Sequence, residues 1–212
     1  MIYPDKDLPW PVSYQAVCGI AEEEQGPGGG VALVAYLCPA GVWTMGWGET
    51  DGVRPGDRCT KEQADRWLCE DLTERVAAIL AACKVKPNAN QLDAFLSFSY
   101  NVGLGWDPDG PRPPGAKNGF RQSSVLRLHN EGNFEAAARA FDLWNQATDP
   151  KTGKKVELPG LVARRKREAA TYLRPVSASR QPVPQAVEPE STMADSKIAQ
   201  TGTVTAGAGV LA

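Results

Sequence analysis

One long amphipathic segment, at about residues 60 to 84, constrains the fold of this chain more than any other feature. It opens with Thr60-Lys-Glu-Gln63, the spacing of a capping box, in which the two outer side chains satisfy backbone amides of the first turn. Its apolar residues recur at helical spacing: Ala64, Trp67, Leu68, Leu72, Val76, Ile79 and Leu80. The segment predicts a long helix that connects two parts of the fold.

The residues before that helix predict a small β-rich lobe. A first helix runs from Ser13, which can cap it, to about Gln25, and the glycine-rich run 26–30 ends it. Strand-like runs follow at 31–36 and 41–47, joined by the turn 38–41.

The residues after the long helix predict a helical lobe. Its helices are expected at about 88–102, 123–129, 134–147 and 161–173. A loop rich in Gly and Pro occupies 106–119, and a short hairpin is predicted at 151–158. The sum is an α+β fold of two lobes bridged by a helix, which leaves a cleft in which a ligand can bind.

The charge and hydropathy of the chain exclude two classes of protein. Lys and Arg number 23 and Asp and Glu 25, for a net charge of −2, so there is no excess of cations to neutralise a nucleic acid. No run approaches the roughly 20 apolar residues of a membrane span, and the first residues do not resemble a secretory signal. The basic run Arg164–Arg167 is interpreted as a solvated helix face.

Histidine and cysteine usage restricts the possible chemistry. The single histidine, His129, makes histidine-ligated metal sites and a Ser-His-Asp triad improbable, and it is interpreted as a surface or helix-end residue. Five cysteines include no CxxC pair, so zinc or thioredoxin-like chemistry has no support. No metal or organic cofactor is expected, and catalysis would use carboxylates, hydroxyls or thiols.

The composition changes near residue 175. Residues 1–175 are predicted to form the folded domain. In residues 176–212 aromatic side chains disappear and prolines recur, which is typical of an extended, weakly structured tail.

Three consecutive glutamates end the first predicted helix, and they face different directions. At about 100° per residue, Glu24 lies within about 20° of Val17 on the apolar face, whereas Glu22 and Glu23 point away. A carboxyl that is half-buried at a helix C-terminus holds its proton to higher pH, because its charged form loses water and meets a negative dipole end. Glu24 is therefore a candidate general acid. Spacing alone slightly favours the other interpretation, a frayed helix end with three solvated acids.

The segment 36–50 contains the other candidates. Strand alternation places Thr44 on one face with Val42 and Gly46, and Cys38 lies in the preceding turn. Glycines at this point leave room for a ligand or for another backbone. Thr44 is also a common strand residue and Cys38 a small apolar one, so both also fit purely structural roles.

Four blocks follow one another along the chain. The first block comprises the acid at position 24, residues 35–36 and the run Gly41-Val-Trp-Thr-Met-Gly-Trp-Gly48. The second block is 90–103, the third is 120–126 with 132–144, and the fourth is 158–168. Together they resemble the phage-type lysozymes of glycoside hydrolase family 24 over about residues 13–174. Four collinear blocks are more specific than one motif, and they imply a lysozyme-like fold with the cleft between its lobes.

The resemblance implies roles for five residues. Glu24 falls on the catalytic acid of the family, Thr44 on its active-site threonine, and Cys38 on the position of its usual aspartate. Tyr100 and Asn101 fall where the family lines the sugar cleft.

Three positions differ from the family pattern. The loop after Glu24, including 26–30, is longer than usual. Glu49 replaces a frequent histidine and is assigned no catalytic role, although a second carboxylate near the cleft is a possible alternative base. Cys38 replaces a carboxylate, although some family members also resemble this chain in having cysteine there. A thiol with a pKa of about 8.5 is mostly neutral at pH 7, but its thiolate could stabilise positive charge, orient water or act as a nucleophile.

The resemblance implies an endolysin that hydrolyses the β-1,4 bond between N-acetylmuramic acid and N-acetylglucosamine. Glu24 would protonate the leaving oxygen, and Thr44 with Cys38 would orient a water on the opposite face, with inversion. Three alternatives remain: a lytic transglycosylase on the same substrate, a non-catalytic peptidoglycan-binding module, and a structural or adaptor protein.

The resemblance also implies where the protein acts and with which partners. Peptidoglycan is the expected substrate, the expected state is a monomer, and no nucleic acid or membrane span is expected. Without a signal or an anchor, the protein would be made in the host cytoplasm and would reach the wall in the periplasm through a holin.

Overall fold

The computed structural model describes residues 12–38, 41–149 and 152–176. All of these residues belong to one compact unit. The predicted tail, 176–212, lies outside the described residues apart from Val176, so its extended character stays a prediction.

The first lobe contains one helix and a hairpin. Helix α1 spans Tyr14–Glu23, and the Ser13 hydroxyl caps it by accepting from the amide of Ala16 at 3.1 Å. Strands β1 (Ala32–Leu37) and β2 (Trp43–Gly46) are antiparallel, with Tyr36 opposite Thr44. The predicted helix and strands are therefore present, with ends shifted by one or two residues.

Helix α2, Lys61–Ala82, connects this lobe to the rest of the structure. The predicted capping box forms: Thr60 accepts from the Gln63 amide at 3.2 Å, and the Gln63 side chain accepts from the Thr60 amide at 2.8 Å. Most of the predicted apolar stripe is buried, but Leu80 is exposed and Trp67 is only half-buried. Trp67 instead lines a groove between the lobes.

The second lobe is built around helix α3, Ala89–Val102. Helices α4 (Ser124–Asn130), α5 (Phe134–Ala140) and α6 (Pro159–Leu173) complete this lobe, and α3 and α6 are in extensive contact. Its core contains tilted and edge-on aromatic contacts among Phe95, Phe98, Phe120, Phe141 and Tyr172. Burying each large apolar side chain contributes about 1.5–3 kcal/mol, so this cluster holds the helices together.

The predicted helix 134–147 is wrong at its end. The α-helix stops at Ala140, a 3-10 turn follows over Phe141–Trp144, and strand β3 (Gln146–Thr148) pairs with β4 (Lys155–Glu157). The side chain of Asn145 donates to Glu157 at 2.8 Å, which ties the two arms together. The hairpin predicted at 151–158 therefore begins at residue 146, several residues earlier than expected.

His129 lies in the last turn of α4, as the helix-end interpretation expected, but it is a core residue, so the interpretation as a surface residue is wrong. Its side chain is 0% exposed, with Nδ1 2.7 Å from the Tyr172 hydroxyl and Nε2 2.8 Å from the Val85 carbonyl oxygen. Both ring nitrogens have polar partners, which offsets the cost of burying an imidazole.

The basic run of α6 is only partly solvated, which corrects the interpretation of it as a solvated face. Lys166 and Arg167 are exposed, whereas Arg164 and Arg165 are buried. Arg165 donates to Glu168 at 3.0 Å, and its guanidinium lies 4.9 Å above the Phe98 ring. Buried guanidinium groups need such partners, because leaving a charge unpaired away from water is costly.

None of the helices within the described ranges has both the length and the hydrophobicity that are needed to cross a bilayer.

Candidate active site

A groove of about 320 Å³ lies between the two lobes. The end of α1, the turn after β2, one face of α2 and the end of α3 form its walls. The residues that line it are Glu24, Trp47, Gly48, Glu49, Thr50, Ala64, Trp67, Leu68, Asp71, Arg75 and Tyr100. The mixture of tryptophan faces, carboxylates and amphipathic side chains suits a polar ligand with flat apolar surfaces, such as a sugar.

Glu24 is the residue immediately after α1, and its amide still donates to the Ile20 carbonyl at 3.0 Å. Its side chain is 28% exposed and faces the groove, while Ile20 and Ala21 behind it are fully buried. The helix-face argument is thus matched by the structure: the carboxyl is half-buried and does not project into bulk solvent.

Burial is the main influence on the Glu24 carboxyl and raises its pKa above the ordinary value. The nearby charge of Glu23 acts in the same direction, whereas the guanidinium groups of Arg164 and Arg75 oppose it. Because burial prevails, the carboxyl keeps its proton to higher pH than a solvated glutamate, as a general acid requires.

The turn after β2 passes directly over this carboxyl. Gly48 has φ +105°, and a Cβ on it would lie 3.5 Å from Oε2 of Glu24 and 3.8 Å from the Tyr100 hydroxyl. The Tyr100 hydroxyl donates to the carbonyl oxygen of Trp47 at 3.2 Å. Glycine is needed because the backbone is left-handed at this point, and Tyr100 holds the turn in place.

Thr44 and Cys38 lie on the hairpin and are not among the residues that line the groove. Thr44 is buried and donates its hydroxyl to the Val42 carbonyl at 3.1 Å, and the Cys38 amide donates to the same carbonyl at 2.9 Å. Tyr36 pairs with Thr44 across the strands, and burial raises the pKa of its phenol, with further contributions from Cys38 and Glu24. The charges of Cys38 and Glu24 therefore both act on the Tyr36 phenol.

Of the two predicted sugar-binding residues, Tyr100 and Asn101, only the first is among the residues that line the groove. Asn101 is exposed at the end of α3, and its amide oxygen accepts from Arg165 at 3.1 Å. Its contact with sugar stays a prediction, since the side chain already serves the junction between α3 and α6.

Glu49 lines the same groove as Glu24. Its Oε1 accepts from the amides of Thr50 and Asp51 at 2.8 and 2.7 Å, which orients the carboxylate in the turn.

Sequence reasoning missed three charged residues at this site. Arg164 Nη1 lies 3.9 Å from Oε1 of Glu24, although α6 is far away in the sequence. Asp71 and Arg75 line the groove from α2 as a salt-bridged pair at 3.1 Å. The only signal for that pair was the i, i+4 spacing of opposite charges, which is common on exposed helices.

Within the described ranges, the acidic, cysteine and histidine side chains form no group that could hold a metal ion. The groove does contain a carboxyl with a raised pKa, that of Glu24, beside aromatic and charged side chains. Such a group can protonate a leaving oxygen of a bound substrate.

Comparison with known proteins is consistent with this chemistry. The sequence model of the family described as phage lysozyme matches residues 28–168. An endolysin of Acyrthosiphon pisum secondary endosymbiont phage 1 is 35% identical over 143 residues, which cover 68% of this chain and 88% of that protein. An endolysin of Bacillus phage PZA is 38% identical over 131 residues, which cover 61% of this chain but only 43% of that protein.

Solved structures give the same answer for the fold. The endolysin from Escherichia coli O157:H7 phage FAHEc1 superimposes with a TM-score of 0.61 and 34% identity, over 76% of this chain and 92% of that one. The predicted lysozyme-like fold is thereby confirmed. The family match begins after Glu24, so the assignment of that residue depends on the groove geometry.

Proposed function

This chain belongs to the phage lysozyme family, and we propose that it cleaves the β-1,4 bond between N-acetylmuramic acid and N-acetylglucosamine with Glu24 as general acid. The coarser activity, hydrolysis of peptidoglycan by an endolysin, follows from the family and from the endolysins that the chain resembles. The choice of bond and the roles of individual residues are the proposal.

One observation supports the proposal most directly. The Glu24 carboxyl is half-buried at the wall of the groove between the lobes, where burial raises its pKa. Solvated glutamates at a frayed helix end, the alternative that spacing alone slightly favoured, would lack the burial that raises this pKa and favours proton donation. The geometry therefore favours an enzyme over a non-catalytic binding module.

In the proposed mechanism, Glu24 protonates the leaving oxygen while an oxocarbenium-like centre forms. Thr44 and Cys38 orient a water on the opposite face of the sugar, and the product has inverted configuration. Inversion needs about 6.5–9.5 Å between the two catalytic groups, to admit that water. The support for these two residues is the family resemblance, the pairing of Thr44 with Tyr36 across the strands, and the effect of both Cys38 and Glu24 on the pKa of Tyr36.

A second activity is favoured by one feature, the absence of a carboxylate at position 38. A lytic transglycosylase needs the acid but no water, because the sugar's own 6-hydroxyl closes a 1,6-anhydro ring. The same groove and the same Glu24 would serve that reaction.

Digestion of purified peptidoglycan, followed by mass spectrometry of the products, tests the proposal. Hydrolysis yields reducing muropeptides, which are heavier by one water than the anhydro products of a transglycosylase. Glu24→Gln should lose product formation by at least about 100-fold, since the loss of a general acid typically costs 100- to 10,000-fold. Glu22→Gln, at an exposed position on the same helix, is the matched control. Full activity of Glu24→Gln would refute the assignment.

We further propose a monomer that is made in the host cytoplasm and that acts on the periplasmic wall after release through a holin. The support is the endolysin relatives. Turbidity clearing of host cells with and without a co-expressed holin tests the release step, because an endolysin that needs a holin lyses cells only in its presence.

A further inference from the structure

Arg75 makes two contacts with the end of helix α3. Its guanidinium carbon lies 4.8 Å from the centre of the Tyr100 ring, and its Nη1 donates to the Ser99 carbonyl at 3.0 Å. That carbonyl is one of the last four of α3, which have no amide partner within the helix. Arg75 therefore caps α3 and covers the face of Tyr100 at the same time.

Asp71 orients this guanidinium. It accepts from Nη2 of Arg75 at 3.1 and 3.3 Å and from Nε at 3.4 Å, one turn earlier on α2. The Arg75 side chain is 16% exposed, whereas the Asp71 side chain is 41% exposed. The pair is thus anchored at the groove wall with the cation on the inner side.

Tyr100 transmits this placement to the general acid. Its hydroxyl donates to the Trp47 carbonyl at 3.2 Å, and a Cβ placed on the next residue, Gly48, would lie 3.5 Å from Oε2 of Glu24 and 3.8 Å from the Tyr100 hydroxyl. Arg75, Tyr100, the 47–48 turn and Glu24 are therefore successive neighbours along the wall of one groove.

We propose that Arg75 is a positioning residue for the reaction: it holds Tyr100 and the 47–48 turn against Glu24, and it places a positive charge on the α2 side of that acid. This inference rests on the proposed function of Glu24. It assigns to the Asp71–Arg75 pair a role in the activity of the groove, beyond the small contribution to stability of a surface salt bridge.

Several charged or titratable groups surround Glu24, and Arg75 is one of two cations among those that the structure describes. They are Glu23 on α1, Tyr36 on β1, Glu49 in the following turn, Asp71 and Arg75 on α2, Tyr100 on α3 and Arg164 on α6. The charge of Arg75 lowers the pKa of Glu24, against the larger effect of burial. Removing Arg75 should therefore raise that pKa, and removing Asp71 should lower it, because Asp71 offsets the charge of Arg75.

The test compares Arg75→Met, Arg75→Lys and Asp71→Asn with the wild-type chain. We expect Arg75→Met to lower kcat by up to about 100-fold, the cost of a small misplacement of catalytic groups. We also expect it to move the basic limb of the kcat/KM profile to higher pH. Asp71→Asn should move that limb to lower pH, and Arg75→Lys should retain the wild-type position. Thermal unfolding identifies any variant that does not fold. If Arg75→Met does not fold, the pH profiles of Arg75→Lys and Asp71→Asn test the proposal instead.

Titration of the Glu24 carboxyl by carbon-13 NMR, assigned with Glu24→Gln, makes the result independent of activity. Shifts of opposite sign in Arg75→Met and Asp71→Asn support the proposal. Unchanged titration and an unchanged pH profile would overturn it, as would an equal loss of activity in all three variants with no movement of the limb. A wild-type chain that releases no product would instead refute the proposed function, while the titration still decides whether Arg75 acts on Glu24.

Discussion

Nη1 of Arg164 lies 3.9 Å from Oε1 of Glu24, and Arg164 is the buried member of this pair, with a side chain 5% exposed. Arg164 is itself held by the Ser97 carbonyl at 3.0 Å and by Glu168 at 3.3 Å. Helices α3 and α6 therefore fix a cation beside the end of α1. Because the cation cannot move away, it limits how far burial raises the pKa of Glu24.

The first prediction concerns Arg164→Met. Loss of the cation should raise the pKa of Glu24 further, so the basic limb of the kcat/KM profile should move to higher pH. The variant should also be less stable by about 3–5 kcal/mol, because it leaves the buried Glu168 with one guanidinium partner fewer. The pH–rate profile and urea unfolding measure the two effects. Arg167→Met, at an exposed position one turn further on, should change neither appreciably. A limb that moves to lower pH in Arg164→Met would contradict the prediction.

The second prediction concerns the stability of Glu24→Gln. The pKa of Glu24 is raised in the folded protein, so the folded state binds a proton more tightly than the unfolded chain does. Stability that is present below the ordinary pKa, 4.5, is therefore lost as the pH rises through the raised value. Glutamine resembles the protonated form, so Glu24→Gln should have the higher Tm at pH 7, and the difference should disappear near pH 4. Calorimetric scans across this range check it, and a variant less stable at pH 7 would show that the charged form is favoured in the folded state.

The third prediction concerns His129. Burial lowers the pKa of this imidazole from its ordinary value of 6.5, despite an opposing contribution from its bond to Val85. As the pH falls below about 6.5 the unfolded chain takes up the proton first, so the folded protein should lose stability. Urea unfolding at pH 7.5, 6.5 and 5.5 measures this slope. His129→Gln should be less stable at pH 7.5 but should lack the histidine part of the slope, and an identical slope in both proteins would refute it.

The fourth prediction concerns Cys38. If its thiolate orients the water or stabilises positive charge, activity should rise with pH through the thiol's pKa, and alkylation should abolish it. Burial raises the pKa of the thiols of Cys59, Cys69 and Cys83, the last to about 12, so these cysteines should react slowly at neutral pH. Activity assays paired with mass spectrometry of the labelled protein measure the effect, and Cys38→Ser is the control. Full activity of a protein labelled at Cys38 would show that the thiolate of this residue has no role in the reaction.

Local sequence signals predicted the elements of the fold well. The start of α2 was placed within one residue, because the two bonds of its capping box join Thr60 and Gln63 within a single turn. The end of α5 was misplaced, because the decisive contacts of 145–148 are with strand β4, and those contacts are not local. Whether such a segment continues as helix or becomes a strand depends on residues far away in the sequence, so the neighbouring residues do not reveal it.

Polar residues in the core were the least predictable. His129 and Arg165 are residue types that are usually exposed, and only their partners on distant elements make their burial tolerable. An interpretation from composition alone therefore assigned both to the surface.

The amino-acid sequence by itself determined the helix and strand segments, the caps, and the face of α1 on which Glu24 lies, because these depend on periodicity and on bonds within one turn. Only the tertiary structure decided the chemical surroundings of that acid. Gly48, Arg75, Tyr100 and Arg164 come from four separate segments, and their distances to Glu24 exist only once the lobes are packed. A pKa depends on burial and on charges nearby in space, so it is a property of that packing and cannot be obtained from the order of residues.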